Sequence, residues 1–257
     1  MTSLDCTVLI PLRDSESIIA GGALDWLATC PEPVVFVLAA VEDGSRVALE
    51  SWLGGHPMPG GVELVVQSRP RLYGALNDGL AAVRTRYVQQ CGIDDEVYWR
   101  RHRELAAVIA GRTPLWIVGR CATRTESGRP TAAGIYRNLL HRWTSALVPL
   151  TNVVGTPAVI FDAERARHLG GWDESMPAAA DYDLWVRLRR EEHPVVLPFA
   201  TGSFVVKPET SLTRAHRSES LQDCYRARRG YYRGRVVPEV ARAFQALQFG
   251  LQDLFGE

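Results

Sequence analysis

Short apolar, β-branched runs alternate with stretches of helical periodicity along the first third of the chain. Thr7 to Leu12 reads as a strand, Glu16 to Thr29 as a helix, Val34 to Val41 as a strand and Arg46 to Leu53 as a helix. Val62 to Val66, Leu72 to Arg86 and Tyr87 to Cys91 continue as strand, helix and strand. Strands this apolar are buried on both faces, so the order predicts an α/β fold with a mostly parallel sheet flanked by helices.

The later pattern is less regular. Gly119 to Gly134 is polar and reads as a long mobile loop, and Asn152 to Phe161 reads as a strand leading through a short helix to Gly170. After Asp181, the residues Leu184, Trp185 and Leu188 fall on one helical face, with Arg187, Arg189 and Arg190 mostly on another. Asp181 therefore stands at or near a helix N-terminus, where unpaired N–H groups and the helix dipole favour an ionised, outward-pointing carboxylate. It reads either as an N-cap or as a positioned general base. From His216 onward the pattern is helical, broken at Gly230, Gly234 and Pro238.

Composition narrows the class without naming a reaction. The 257 residues fit one large domain, or one with an appendage, and Lys+Arg and Asp+Glu both total 29, so the overall charge offers no argument for nucleic acid. Basic residues outnumber acids from Arg214 to Arg242, and Tyr225, Tyr231 and Tyr232 interleave with them. That region reads as a solvated or dimer-forming helix, or as a peripheral membrane contact. The N-terminal residues lack a basic segment before an apolar core, and Val34 to Val41 is too short to cross a bilayer. Five cysteines without CxxC spacing suggest buried thiols in a reducing cytoplasm.

In a parallel sheet of this kind, ligands bind beyond the carboxyl ends of the strands. Arg13 and Asp14, Glu42 and Asp43, and Asp94 and Asp95 occupy those positions. VLIPLRD (Val8 to Asp14), AAVEDGS (Ala39 to Ser45), RLYGALNDGLAAV (Arg71 to Val83), GIDDE (Gly92 to Glu96), GGWDE with ADYDLWVRL, and SLTRAHRSES (Ser211 to Ser220) follow in that order. Together they resemble the inverting, nucleotide-sugar-dependent glycosyltransferases of the GT-A fold, over roughly Thr7 to Ser220.

The resemblance implies a GT-A, Rossmann-like domain over residues 1–215, with a nucleotide-binding half (1–96), an acceptor-side half (97–215) and a helical extension at 216–257. It implies a nucleoside diphosphate sugar donor, a Mn²⁺ or Mg²⁺ cofactor and a small-molecule, lipid-linked or peptide acceptor. Pro11, Arg13, Asp43 and Arg71 would contact the nucleotide or its phosphates, and Asp94 the ribose or sugar. Asp95 would bind the metal, with His216 either completing its shell or standing as an ordinary surface residue. Gly171 and Trp172, in the acceptor-side motif, would also contact the nucleotide sugar, with Trp172 either lining the sugar pocket or packing in the core. Asp181 would be the base, while Asp183, about 200° away on the helix, would face elsewhere. The chain departs from the family at Leu12, Arg13, Asp14, Glu42, Gly92 and Ala180. Those departures keep open a non-catalytic nucleotide-sugar-binding module. No QxxRW element follows Asp181, which favours transfer of one sugar per encounter.

Overall fold

The computed structural model describes residues 4–206, 217–232, 237–243 and 245–246, so His216 lies outside the described residues. In chain order the elements are β1 (Cys6–Leu12), α1 (Glu16–Ala20), β2 (Val34–Leu38), α2 (Ser45–Gly55), β3 (Val62–Val66), α3 (Arg71–Ala82), β4 (Tyr87–Gln90) and β5 (Glu96–Val97). They continue with α4 (His102–Val108), β6 (Trp116–Thr125), α5 (Ala132–Leu140), α6 (Thr144–Leu147), β7 (Val159–Asp162), α7 (Ala163–His168), α8 (Ala180–Glu191), β8 (Val195–Val206) and α9 (Arg217–Tyr231).

All eight strands join one sheet in the order β3-β2-β1-β4-β7-β6-β8-β5. The β3-β2-β1-β4 portion is parallel, as the apolar runs predict. Beyond it β7 runs antiparallel to β4 and β6, and β5 antiparallel to β8, so the sheet is mixed. Because side chains alternate across a strand, β1 feeds two cores. Leu9 packs with Val35, Val37 and the helices α3, α7 and α8, whereas Val8, Ile10 and Leu12 pack with Phe36, Ile19 and Leu49 on the opposite face. Helix α3 lies so close to the sheet that a Cβ on Gly79 would stand 2.4 Å from Leu9 Cδ1 and 2.5 Å from Val37 Cγ2.

The early elements fall close to their predicted places, with local corrections. The helix expected over Glu16 to Thr29 stops at Ala20, where Gly21 and Gly22 interrupt it, and resumes as a 3-10 turn at Asp25–Leu27. Strand β2 ends at Leu38, and α3 ends at Ala82. The strand expected over Asn152 to Phe161 is confined to β7, because Pro157 sits in a 3-10 turn before it. The larger correction is the polar stretch Gly119 to Gly134, which is not a long loop. Most of it is β6, which pairs with β8 over a long parallel register, followed by a turn and the start of α5. Its polar character is tolerated because side chains such as Arg120 project outward while Cys121 and Thr123 are buried.

A buried polar chain ties β4 to this second half. His102 Nε2 lies 2.8 Å from Gln89 Oε1 and Nδ1 3.3 Å from Glu32, while Gln89 Nε2 donates to the carbonyls of Pro157 and Thr201 at 2.6 and 2.9 Å. Among the described residues no helix is long and apolar enough to cross a membrane. Helix α9 packs on α8 and contributes Cys224 and Ala227 to the core, with Arg228 fully buried against the Tyr182 ring.

Candidate active site

The loops after β1 and β2 are laced together by one carboxylate. Asp43 Oδ2 accepts from the Asp14 amide at 2.7 Å and Oδ1 from the Ser45 amide at 3.0 Å, while the Ser15 amide donates to Ser45 Oγ at 2.9 Å. Burial opposes the Asp43 charge, but the donations from Asp14 and Ser45 outweigh it and hold the carboxyl below its usual range. Pro11 sits at the end of β1, beyond the stretch that pairs with β4, where its missing N–H leaves no β4 bond unmade. Arg13 is exposed and lies 3.5 Å from the Asp14 carboxylate.

Asp14 (φ +49°) and Arg71 (φ +65°) are the non-glycine residues with left-handed backbone among those described, and they border this same edge. Such conformations cost about 1–3 kcal/mol and collect at functional sites. Arg71 is exposed at the first position of α3, following Pro70. The preceding turn is pinned by Asp78, whose Oδ2 accepts from the Ser68 and Arg69 amides at 2.5 and 3.1 Å.

Asp95 is nearly buried and fixed at both oxygens. Oδ1 accepts from the Val205 amide at 3.0 Å, and Oδ2 from the Gly92 amide at 3.2 Å. The half-buried Asp94 stands beside it. A Cβ at Gly92 would lie 3.1 Å from Asp95 Oδ2 and 3.2 Å from Asp94 Oδ1, so both carboxylates flank this position. They therefore leave little room for an acid at position 92. Among the described residues no group of three His, Cys, Asp or Glu side chains gathers to hold a metal ion. Two neighbouring carboxylates do suit a hard cation that draws its remaining ligands from phosphate oxygens and water, the usual habit of Mg²⁺.

Asp181 lies in the first turn of α8, as its sequence context predicts, but its electrostatics differ from expectation. It is half-buried, and burial raises its pKa despite the opposing bonds from Thr156 and from the Tyr182 amide. Thr156 Oγ1 donates to Oδ2 and the Tyr182 amide to Oδ1, each at 2.7 Å. Arg137 on α5 acts on it electrostatically, and the charge of Asp181 helps burial to hold the Tyr73 hydroxyl, which is bonded to the backbone of Ala180, above the usual range. Arg137 and Asp95 also act electrostatically on Cys121, in opposite directions.

Asp181 is not the N-cap. The N-cap position is Ala179, and the amides of Ala178 and Ala179 donate to Asp223 Oδ2 at 3.0 and 3.2 Å, so α9 fastens the chain where it enters the helix that carries Asp181. Asp183 does turn away, as the helical angle requires. It meets Arg187 at 2.7 Å, and Arg187 also donates to the carbonyls of Leu169 and Gly171. This far side lines a cavity of about 530 Å³ with Arg69, Asn77 and Glu174, outside the neighbourhood of Asp181.

The Gly170–Gly171 turn is left-handed at both residues, with φ of +90° and +66°. A Cβ on Gly171 would stand 2.2 Å from Asn77 Oδ1. Asn77 accepts from the Trp172 amide at 2.9 Å and donates to the Trp172 carbonyl at 2.9 Å and to Glu174 at 2.8 Å, buttoning the turn to α3. Of the two readings of Trp172, the packing of its ring fits the core. Trp172 is 1% exposed and packs edge-on against Phe161, because the buttoned turn directs it into the core.

Thr156, Tyr73, Arg137, Asn77 and Asp223 were not legible as site residues. Asn77 had one usable signal, its place two residues before Gly79 in the Asn-x-Gly helix. The others reach the site only through long-range packing.

The sheet order, the acidic strand ends and the position of Asp181 define the GT-A fold of glycosyltransferases. No protein-family profile matches the sequence. The chain is 27% identical over 250 residues to the pre-mycofactocin glycosyltransferase of Mycobacterium tuberculosis, covering 93% of this chain and 48% of that protein. It thus spans about half the length of the curated relatives it matches. The mannosyltransferase PcManGT from Pyrobaculum calidifontis, solved with GDP-Man and Mn²⁺, superposes with a TM-score of 0.66 at 20% identity, over 88% of this chain and 64% of that one. S. aureus TarS in complex with UDP-GlcNAc gives 0.66 at 15% identity, over 87% and 64%.

Proposed function

We propose that the chain is a cytoplasmic, metal-dependent inverting glycosyltransferase. It moves one sugar from a nucleoside diphosphate sugar to a hydroxyl of a small-molecule, lipid-linked or peptide acceptor, with Asp181 as general base. The observation that carries the reading is the setting of Asp181: half-buried at the start of α8, held at both oxygens, with its proton affinity raised by burial. A carboxylate so placed takes a proton more readily near neutral pH than an exposed one does. Similarity to the pre-mycofactocin glycosyltransferase supports glycosyl transfer as the reaction class.

In this mechanism Asp181 accepts the proton of the acceptor hydroxyl. The acceptor oxygen then bonds to the anomeric carbon as the bond from that carbon to the diphosphate oxygen breaks, and a single displacement inverts the configuration. Asp43 receives a base N–H or a ribose hydroxyl with its remaining lone pairs. Arg13 and Arg71 contact the nucleotide or its phosphates, and Pro11 shapes the floor beside them. Asp94 faces the ribose or sugar, Asp95 would hold the cation, and His216 is a further proposed ligand. A bound Mn²⁺ or Mg²⁺ would neutralise the diphosphate as it leaves. Gly171 supports the acceptor side indirectly, through the turn that Asn77 fastens. The neighbours solved with GDP-Man and Mn²⁺ and with UDP-GlcNAc support a nucleotide sugar as the donor.

The test is donor hydrolysis and sugar transfer across a broad donor and acceptor panel, comparing wild type with Asp181→Asn and Asp95→Ala. Turnover should fall about 10²–10⁴-fold on loss of the base. Equal turnover in all three proteins would refute the mechanism, and nucleotide binding without turnover in wild type would favour the non-catalytic module.

A further inference from the structure

The stretch from Ala132 to Leu150 wears its apolar residues on the outside. Helix α5, the 3-10 turn His141–Trp143 and α6 follow one another without a break; Ala132, Ile135, Tyr136, Leu139 and Trp143 recur at helical spacing along them, and Leu150 follows in the turn after α6. All six are exposed, Leu139 at 71% and Ile135 and Trp143 at 55%. The opposite side is anchored. Gly134, His141, Thr144 and Val148 are buried, His141 Nε2 meets the Leu197 carbonyl at 2.7 Å, and Asn138 donates to the Cys121 carbonyl at 3.3 Å. These contacts fix the rotation of the segment, so the apolar stripe cannot turn inward. A surface helix ordinarily shows water its polar face.

The segment's own charges have one sign. From Ser127 to Phe161 the sequence contains no Asp or Glu, although acids and bases balance over the chain as a whole, and the exposed Glu191 and Glu192 approach at the α6 end, where His193 meets Ser145 at 2.6 Å. Arg129 and Arg142 are exposed on the segment, and Arg120 and Arg142 line a cavity of about 560 Å³ beside Leu139. An apolar helical stripe with Trp and Tyr, flanked by arginines and free of acids, is the chemistry of a helix lying in the headgroup region of an anionic bilayer. A two-fold contact between copies would instead set the arginines of this segment against one another.

We propose that the outer face of α5 and its continuation docks this protein on an anionic lipid surface. Arg137, on the less exposed side of the same helix, acts electrostatically on Asp181. The Arg-rich α9 is less free for that role, since Arg228 is buried and Arg226 meets Asp173 at 3.6 Å and Ser175 at 2.9 Å. The inference stands independently of the transfer reaction, and its readout is binding alone.

Flotation with phosphatidylcholine vesicles, with and without phosphatidylglycerol, tests it at low and high salt. Wild type should float with the anionic vesicles only, and less so at high salt. The Leu139→Asp/Trp143→Ser double variant should bind about tenfold or more weakly, and Arg142→Glu about fivefold. The changed side chains are exposed, and thermal melting checks that the variants fold; Arg142→Glu keeps the test alive if the double variant does not. Absence of wild-type binding to anionic vesicles overturns the proposal, as does equal binding by the folded variants. So does a wild-type dimer in light scattering that the double variant converts to monomer.

Discussion

The donor edge and the acceptor edge each depend on a carboxylate, and the fold treats the two in opposite ways. At the donor edge Asp43 is held by the Asp14 and Ser45 amides, and its carboxyl is kept below the usual range. At the acceptor edge Asp181 also has two donors, yet burial prevails and raises its pKa. The proposed nucleotide contact, which would keep its charge, is supplied with backbone donors near solvent. The proposed base, which would receive a proton, is placed where its charge is less welcome. The number of hydrogen bonds does not separate the two; the balance between those bonds and burial does.

The largest effect expected from breaking this contrast is on catalysis. Asp181→Asn should lower kcat about 10²–10⁴-fold while leaving nucleotide binding intact. It should not lower the melting temperature, because a carboxyl whose folded pKa is raised stabilises the fold only while protonated and loses that contribution as pH rises through the folded value. Urea unfolding of the same variant near neutral pH checks the sign. A marked loss of stability would mean that the Asp181 charge supports the fold.

A smaller effect should follow at the joint between the two edges. Gly171→Ala adds a Cβ 2.2 Å from Asn77 Oδ1 at φ +66°, whereas at Gly170 a Cβ would meet nothing within 4 Å. The first substitution should cost about 2–4 kcal/mol by denaturant unfolding and the second about 1. Similar costs would show that the Asn77 button is unimportant. At the donor edge, Asp43→Ala should destabilise by about 1–2 kcal/mol, since two amides lose their acceptor. That stability is present above the ordinary Asp range and disappears as pH falls through the lowered folded value, so the gap from wild type should close only in strong acid. The smallest expected effect is a displacement in pH: the acid limb of kcat should lie above the ordinary Asp range, and an unshifted limb would argue against a buried base.

The donor edge was far more legible than the acceptor edge. Val8 to Leu12, Val34 to Leu38 and Val62 to Val66 are short apolar runs whose partners are near in sequence, and local pattern suffices to find them. Strand β6 is polar enough to pass for a loop, since what makes it a strand is pairing with β8, which lies far along the chain. The position of Asp181 was readable from the helix that follows it. Its burial was not, because Thr156, Tyr73 and Arg137 come from three distant segments. Trp172 shows the same limit in reverse: the motif placed it in the chain, while the Asn77 bonds turned its ring into the core.

Calorimetric titration of wild type, Asp95→Asn and Asp181→Asn with GDP-mannose and UDP-GlcNAc, each with and without Mn²⁺, tests the division of labour most directly. The account predicts that one nucleotide sugar binds wild type and Asp181→Asn equally well and only with Mn²⁺, and that Asp95→Asn loses this metal-dependent binding. Binding indifferent to Mn²⁺, or retained in full by Asp95→Asn, would contradict it.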